Sequence, residues 1–171
     1  MDFRALLYDS SKLTIINTAK IAGADEENFD KLFRLTMADI PKISQRALRV
    51  LNVIAEQNPE LLKPYYPEIL KKLTETNNES ILFGFLHFFI IAPIPEDEEI
   101  HGELMNIAFD FLDGVWEGEA VRVYSMDILH RLTKFYPEIK HELADIIRSR
   151  MQFGKPSFQA RGTKILKSLS L

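Results

Sequence analysis

The strongest constraint on the fold is one helical pattern written three times. Ile43, Ala47, Val50, Leu51 and Ile54 recur as Val121, Ser125, Ile128, Leu129 and Leu132, and again as Phe158, Gly162, Ile165, Leu166 and Leu169. The spacing i, i+4, i+7, i+8, i+11 puts each set on one face of a helix. The copies are 78 and 37 residues apart, and a unit of about 37 to 39 residues fits both steps, within the period of helical-repeat arrays. The turn after the helix recurs in the same register: Asn58-Pro59-Glu60-Leu61 corresponds to Tyr136-Pro137-Glu138-Ile139, and Tyr65 and Ile69 to Leu143 and Ile147. A face and its turn repeating together predict an all-α chain, a right-handed α-solenoid of stacked antiparallel helix pairs with about 9–10 helices.

Apolar spacing and punctuation place helices at 2–8, 11–22, 25–37, 41–57, 64–75, 80–91, 98–112, 118–135, 138–150 and 156–169. Residues 1–39 read as capping helices and 40–171 as repeats of a single domain. Pro41 is expected to open the fourth helix and Gly114 to cap the seventh. The middle copy is the degenerate one. Residues 80–91 are apolar almost all round, as in a helix covered on both sides, and shifts of 38 and 39 both put apolar residues on the template. At its small position, where Ala47, Ser125 and Gly162 allow close helix packing, the middle copy offers bulky Phe85 or Leu86.

At 46% hydrophobic, the 171 residues suffice for a real core. No cysteine is present, so disulfides, thiolate zinc sites and cysteine nucleophiles are excluded. Without a leader-like or bilayer-length apolar segment, the expected location is the cytoplasm, with no membrane partner. The net charge of −4 is uneven. From Ile146 onward no acid occurs while Arg148, Arg150, Lys155, Arg161, Lys164 and Lys167 supply six positive charges, leaving −10 for residues 1–145. An acidic body disfavours general nucleic-acid binding, which needs an extended basic surface.

The whole chain resembles HEAT-like and armadillo-like repeat proteins, and more closely small bacterial single-domain HEAT-like proteins. The likeness is carried by Gln45-Arg46-Ala47, the Asn58-Pro59-Glu60-Leu61 turn, Gly102-Glu103 and the run from Phe158 to Leu166. The resemblance implies an interaction module; it brings no catalytic residue and no cofactor.

Chemistry-bearing residues are sparse. His141-Glu142-Leu143-Ala144-Asp145 resembles HExxH with aspartate in place of the second histidine, and lacks a third ligand. His101 and Glu103 follow the acids Glu96 to Glu99 and offer hard oxygen donors, although acids at a helix N-terminus have an ordinary dipole explanation. His87 reads as a hydrogen-bonded core residue, and His130 has Asp127 one turn before it to orient its ring. No phosphate-binding glycine loop and no Gly-x-Ser-x-Gly occur. No metal site is expected.

The candidate binding residues are therefore surface ones. Arg46 and Arg161 occupy matching positions, with Tyr124 between them in the repeat, and could form a ridge for a carboxylate or phosphate, or else bond neighbouring helix ends or acids. Lys164 adds positive charge nearby. Trp116, the only tryptophan, is either a hot spot or groove packing. The second helices of the pairs should present Tyr65, Lys72, Glu103, Asn106, Asp110, Glu142, Arg148 and Arg150. The leading expectation is a non-catalytic scaffold for a protein or peptide partner. A nucleic-acid module of the HEAT-like DNA glycosylase type is the runner-up, and a metal-dependent hydrolase the weaker third.

Overall fold

The computed structural model describes residues 1–115 and 118–170, and among these the regular structure is helical throughout. Ten α-helices follow one another: α1 (Phe3–Leu6), α2 (Lys12–Ala22), α3 (Glu26–Met37), α4 (Ile43–Gln57), α5 (Tyr66–Glu75), α6 (Glu79–Ile91), α7 (Glu98–Asp113), α8 (Glu119–Leu132), α9 (Lys140–Arg150) and α10 (Pro156–Leu169). The chain divides into two compact units, Met1–Pro93 and Ile94–Leu171. In the first, α4 packs on α2, α3 and α6; in the second, α8 packs on α7, α9 and α10.

Side chains start these helices as the sequence dictates. Ser11, Asp25, Asn78 and Asp97 each cap a helix by accepting from a backbone N–H two or three residues on. The helix expected from Pro41 begins instead at Ile43, because Asp39 and Lys42 take left-handed backbone angles, φ 54° and 66°. Ser44 secures that turn, accepting from Ile40 N–H and donating to the Leu35 carbonyl. The repeated turn is a short 3-10 helix in both copies, Pro59–Tyr65 and Pro137–Ile139, each with proline in its first turn, where a missing N–H costs nothing.

All five pattern residues of α4 and all five of α8 are buried; in α10 only Leu166 is half-exposed. The undecided middle register resolves at a shift of 38, which places Ile81, Phe85, Phe88, Phe89 and Ala92 on the template, all buried. A shift of 39 would use half-buried Ile90 and exposed Pro93. Phe85 thus fills the small position, and the close approach moves one residue back to Gly84, where an added Cβ would stand 2.3 Å from Leu48 Cδ2 of α4.

Candidate functional site

The repeated arginines are both engaged within their own units. Arg46 is half-buried and donates from Nη1 to the carbonyls of Leu7 (2.8 Å) and Tyr8 (2.7 Å), where the chain leaves α1. Arg161 on α10 bonds through Nε to the carboxylate of Asp127 on α8, itself only 7% exposed. Lys164, one turn beyond, is exposed.

Among the expected surface residues of the second helices, Lys72 is a correction. It is buried, its ammonium reaching back to Asp39 Oδ2 at 2.6 Å and to the Met37 carbonyl at the end of α3. Tyr65 is half-buried. Its ring lies 5.2 Å from Phe29 and 4.3 Å from Phe33, and its hydroxyl donates to Asp30 Oδ1 at 3.3 Å. Burial, reinforced by Asp30, pushes its phenol pKa up. Beside it Arg34 bonds Glu68 with both Nη groups and Asp30 with Nε, which raises the already high guanidinium pKa through the Glu68 bonds above all.

Glu103, Asn106 and Asp110 are exposed along one stripe of α7, and Glu142 is exposed on α9. Arg148 is exposed and pairs locally with Asp145 at 3.1 Å. Arg150 is half-buried and bonds the carboxylate of Asp113 and the carbonyls of Asp113 and Gly114 at the end of α7. Trp116 lies outside the described residues.

Three of the four histidines hold elements together. His87 Nδ1 donates to Asn52 Oδ1 at 2.6 Å, while Asn52 Nδ2 donates to the Leu48 and Gly84 carbonyls. His101 is buried, its Nε2 donating to the Pro95 carbonyl and its Nδ1 3.0 Å from the Tyr136 hydroxyl. Both ring nitrogens are occupied, so His101 does not join Glu103 as a ligand. His130, expected to be oriented by Asp127, instead meets Ser168 Oγ at 2.7 Å through Nε2. Ser168 spends its own proton on the Ile165 carbonyl, so Nε2 is the donor. His141 and Glu142 are exposed, and Asp145 is committed to Arg148. Among the described residues no three His, Asp or Glu side chains converge as metal ligands.

An open groove of about 510 Å³ between α8 and α10 joins Arg161 and Lys164, both named from the sequence, to Val123, Asp127, Ser157 and Ala160, which no binding pattern marked. The Asp127–Arg161 pair across it spans 34 residues, and its signal in the sequence was an arginine able to bond a neighbouring acid.

Comparison with curated proteins found no match, and comparison with solved structures found none. A family model described as a HEAT repeat domain matches residues 4–169. That span takes in helices α2 to α10, including the degenerate middle copy, and the chain belongs to the HEAT repeat domain family.

Proposed function

We propose that this chain is a non-catalytic scaffold that binds a protein or peptide partner, the commonest use of helical-repeat surfaces. The observation that carries this reading is the α7 stripe Glu99, Glu103, Asn106 and Asp110, at i, i+4, i+7 and i+11. All four are exposed, and among the described residues their side chains make no hydrogen bond or ion pair. A polar stripe left uncommitted on a buried-face helix is available to a partner. The histidines that would serve catalysis are largely spent on joining helices. A chain without cysteine suits the reducing cytoplasm.

The test is affinity capture from the native cell with quantitative mass spectrometry, comparing the wild type with a Glu103→Lys/Asp110→Lys variant. A protein retained by the wild type and lost by the variant supports the reading. Capture of nucleic acid, abolished by nuclease, would replace it with the nucleic-acid alternative. No helix among the described residues is long and apolar enough to cross a membrane.

A further inference from the structure

We propose that the α8–α10 groove is a docking site for an acidic, partly apolar peptide segment of a protein partner. This rests on the scaffold reading but places the contact on the first helices of successive pairs rather than on the second.

The geometry of α10 separates its two faces. Phe158, Gly162, Ile165 and Leu169 are buried, whereas Ser157, Ala160, Arg161 and Lys164 line the groove; Ser168 continues the i, i+4, i+7, i+11 spacing of Ser157, Arg161 and Lys164 past the lining, and exposed Lys167 follows Lys164 by three residues. The opposing wall is Val123 and Asp127 of α8, with His130 one turn beyond them bonded to Ser168. The helices are tied across the groove at two points, Arg161 to Asp127 and Ser168 to His130, so its walls are held before any ligand arrives. From Ser157 to Ser168 the stripe runs about 16 Å, the length of about five residues of extended peptide.

The charge selects the occupant. Asp127, the groove's one carboxylate, is buried and already neutralised by Arg161. Arg161 uses Nε for that pair, which leaves its two Nη groups for a further acceptor. Lys164 and Lys167 are exposed and make no ion pair among the described residues, and no acid occurs anywhere from Ile146 to Leu171. The open side of the groove is therefore positive, while Val123 and Ala160 add apolar surface. Carboxylates spaced with aliphatic side chains complement it. A nucleic acid fits less well, because Lys164 and Lys167, beside an Arg161 already paired with Asp127, offer few phosphate contacts and residues 1–145 carry −10.

The test is selection of random peptides of about twelve residues, long enough to cover the stripe as extended chain or helix, on the full chain. The best peptide is then labelled and titrated by fluorescence anisotropy. Selected sequences should be enriched in Asp and Glu next to aliphatic residues. Binding should weaken with salt and by about tenfold or more in Lys164→Glu/Lys167→Glu, whose residues are exposed and whose fold is checked by circular dichroism. Ala160→Glu, which plants an acid in the exposed lining of the groove, should have the same effect. The proposal is overturned if no peptide is selected, if the peptides lack acids, or if both variants bind as the wild type does. It is also overturned if an oligothymidylate of equal length binds tighter and is lost in the variants, or if the occupant proves to be a second copy, seen as self-association that the variants abolish. A partner still captured through Glu103 and Asp110 in any of these cases would leave the scaffold reading standing and remove the groove alone.

Discussion

Gly84 and Gly102 are both helical glycines, and their surroundings set them opposite fates on substitution. A Cβ on Gly84 would lie 2.3 Å from Cδ2 and 2.6 Å from Cγ of Leu48, itself 2% exposed and unable to swing away. Overpacking of that kind costs about 1–3 kcal/mol, more than the gain of up to about 1 kcal/mol from replacing glycine in a helix. Gly84→Ala should therefore destabilise the chain in urea unfolding. Gly84→Ala combined with Leu48→Ala should cost less than the sum of the two changes, because the smaller side chain relieves the clash. Gly102 has no atom within 4 Å of the added carbon, and Gly102→Ala should stabilise by about 0.5–1 kcal/mol. A Gly84→Ala variant as stable as the wild type would show that α4 and α6 do not meet here. The sequence placed the small positions at Ala47, Ser125 and Gly162 but could not find Gly84. In a helix apolar all round, composition does not say which side faces a neighbour.

At the scale of the element, α7 shows what local sequence encodes and what it leaves out. Its N-terminal acids, the Asp97 cap and the C-terminal Gly114 are written in adjacent residues, and its ends fall within a residue of expectation. What finishes its negative C-terminus is not local. Arg150, 36 and 37 residues downstream, donates to the Gly114 and Asp113 carbonyls and to the Asp113 carboxylate, and Arg122 adds a 3.3 Å bond to the Gly114 carbonyl. Cations on a helix C-terminus and charged hydrogen bonds to carbonyls together contribute about 1–2 kcal/mol. Arg150→Met should lose that much in denaturant titration, while Arg148→Met, whose exposed pair to Asp145 lies on a single helix, should change stability by less than about 0.5 kcal/mol. Equal effects would mean that Arg150 does not cap α7. The burial of Lys72 escaped the sequence for the same reason: Asp39, which holds it, is 33 residues away, and helical spacing carries no information at that range.

Over the whole molecule eight polar links between distant residues share one length. Arg34 to Glu68, Arg46 to Tyr8, Lys72 to Asp39, His87 to Asn52, His101 to Tyr136, Arg150 to Asp113, Arg161 to Asp127 and Ser168 to His130 each span between 33 and 38 residues. That is one repeat, as expected where each unit contacts only its neighbours. The repeat length was legible in the apolar pattern, but the partners bridging it were not. Two of these links carry histidines whose pKa is lowered, in both cases chiefly by burial. His87 is opposed by Glu56; His130 is opposed by Asp127 and reinforced by Arg161 and Lys134. Above the ordinary histidine pKa of about 6.5, both rings are neutral folded or unfolded, and stability is complete. As pH falls below that value the unfolded chain takes up protons that the folded chain resists, so stability drops. The urea midpoint should therefore fall between pH 7.5 and 5.5, and His87→Gln/His130→Gln, which leaves amide donors but no titrating ring, should flatten that fall. An equally steep fall in the double variant would shift its origin to the carboxylates, which titrate lower, and would show that the two histidines bridging successive repeats do not set the acid limit of the fold.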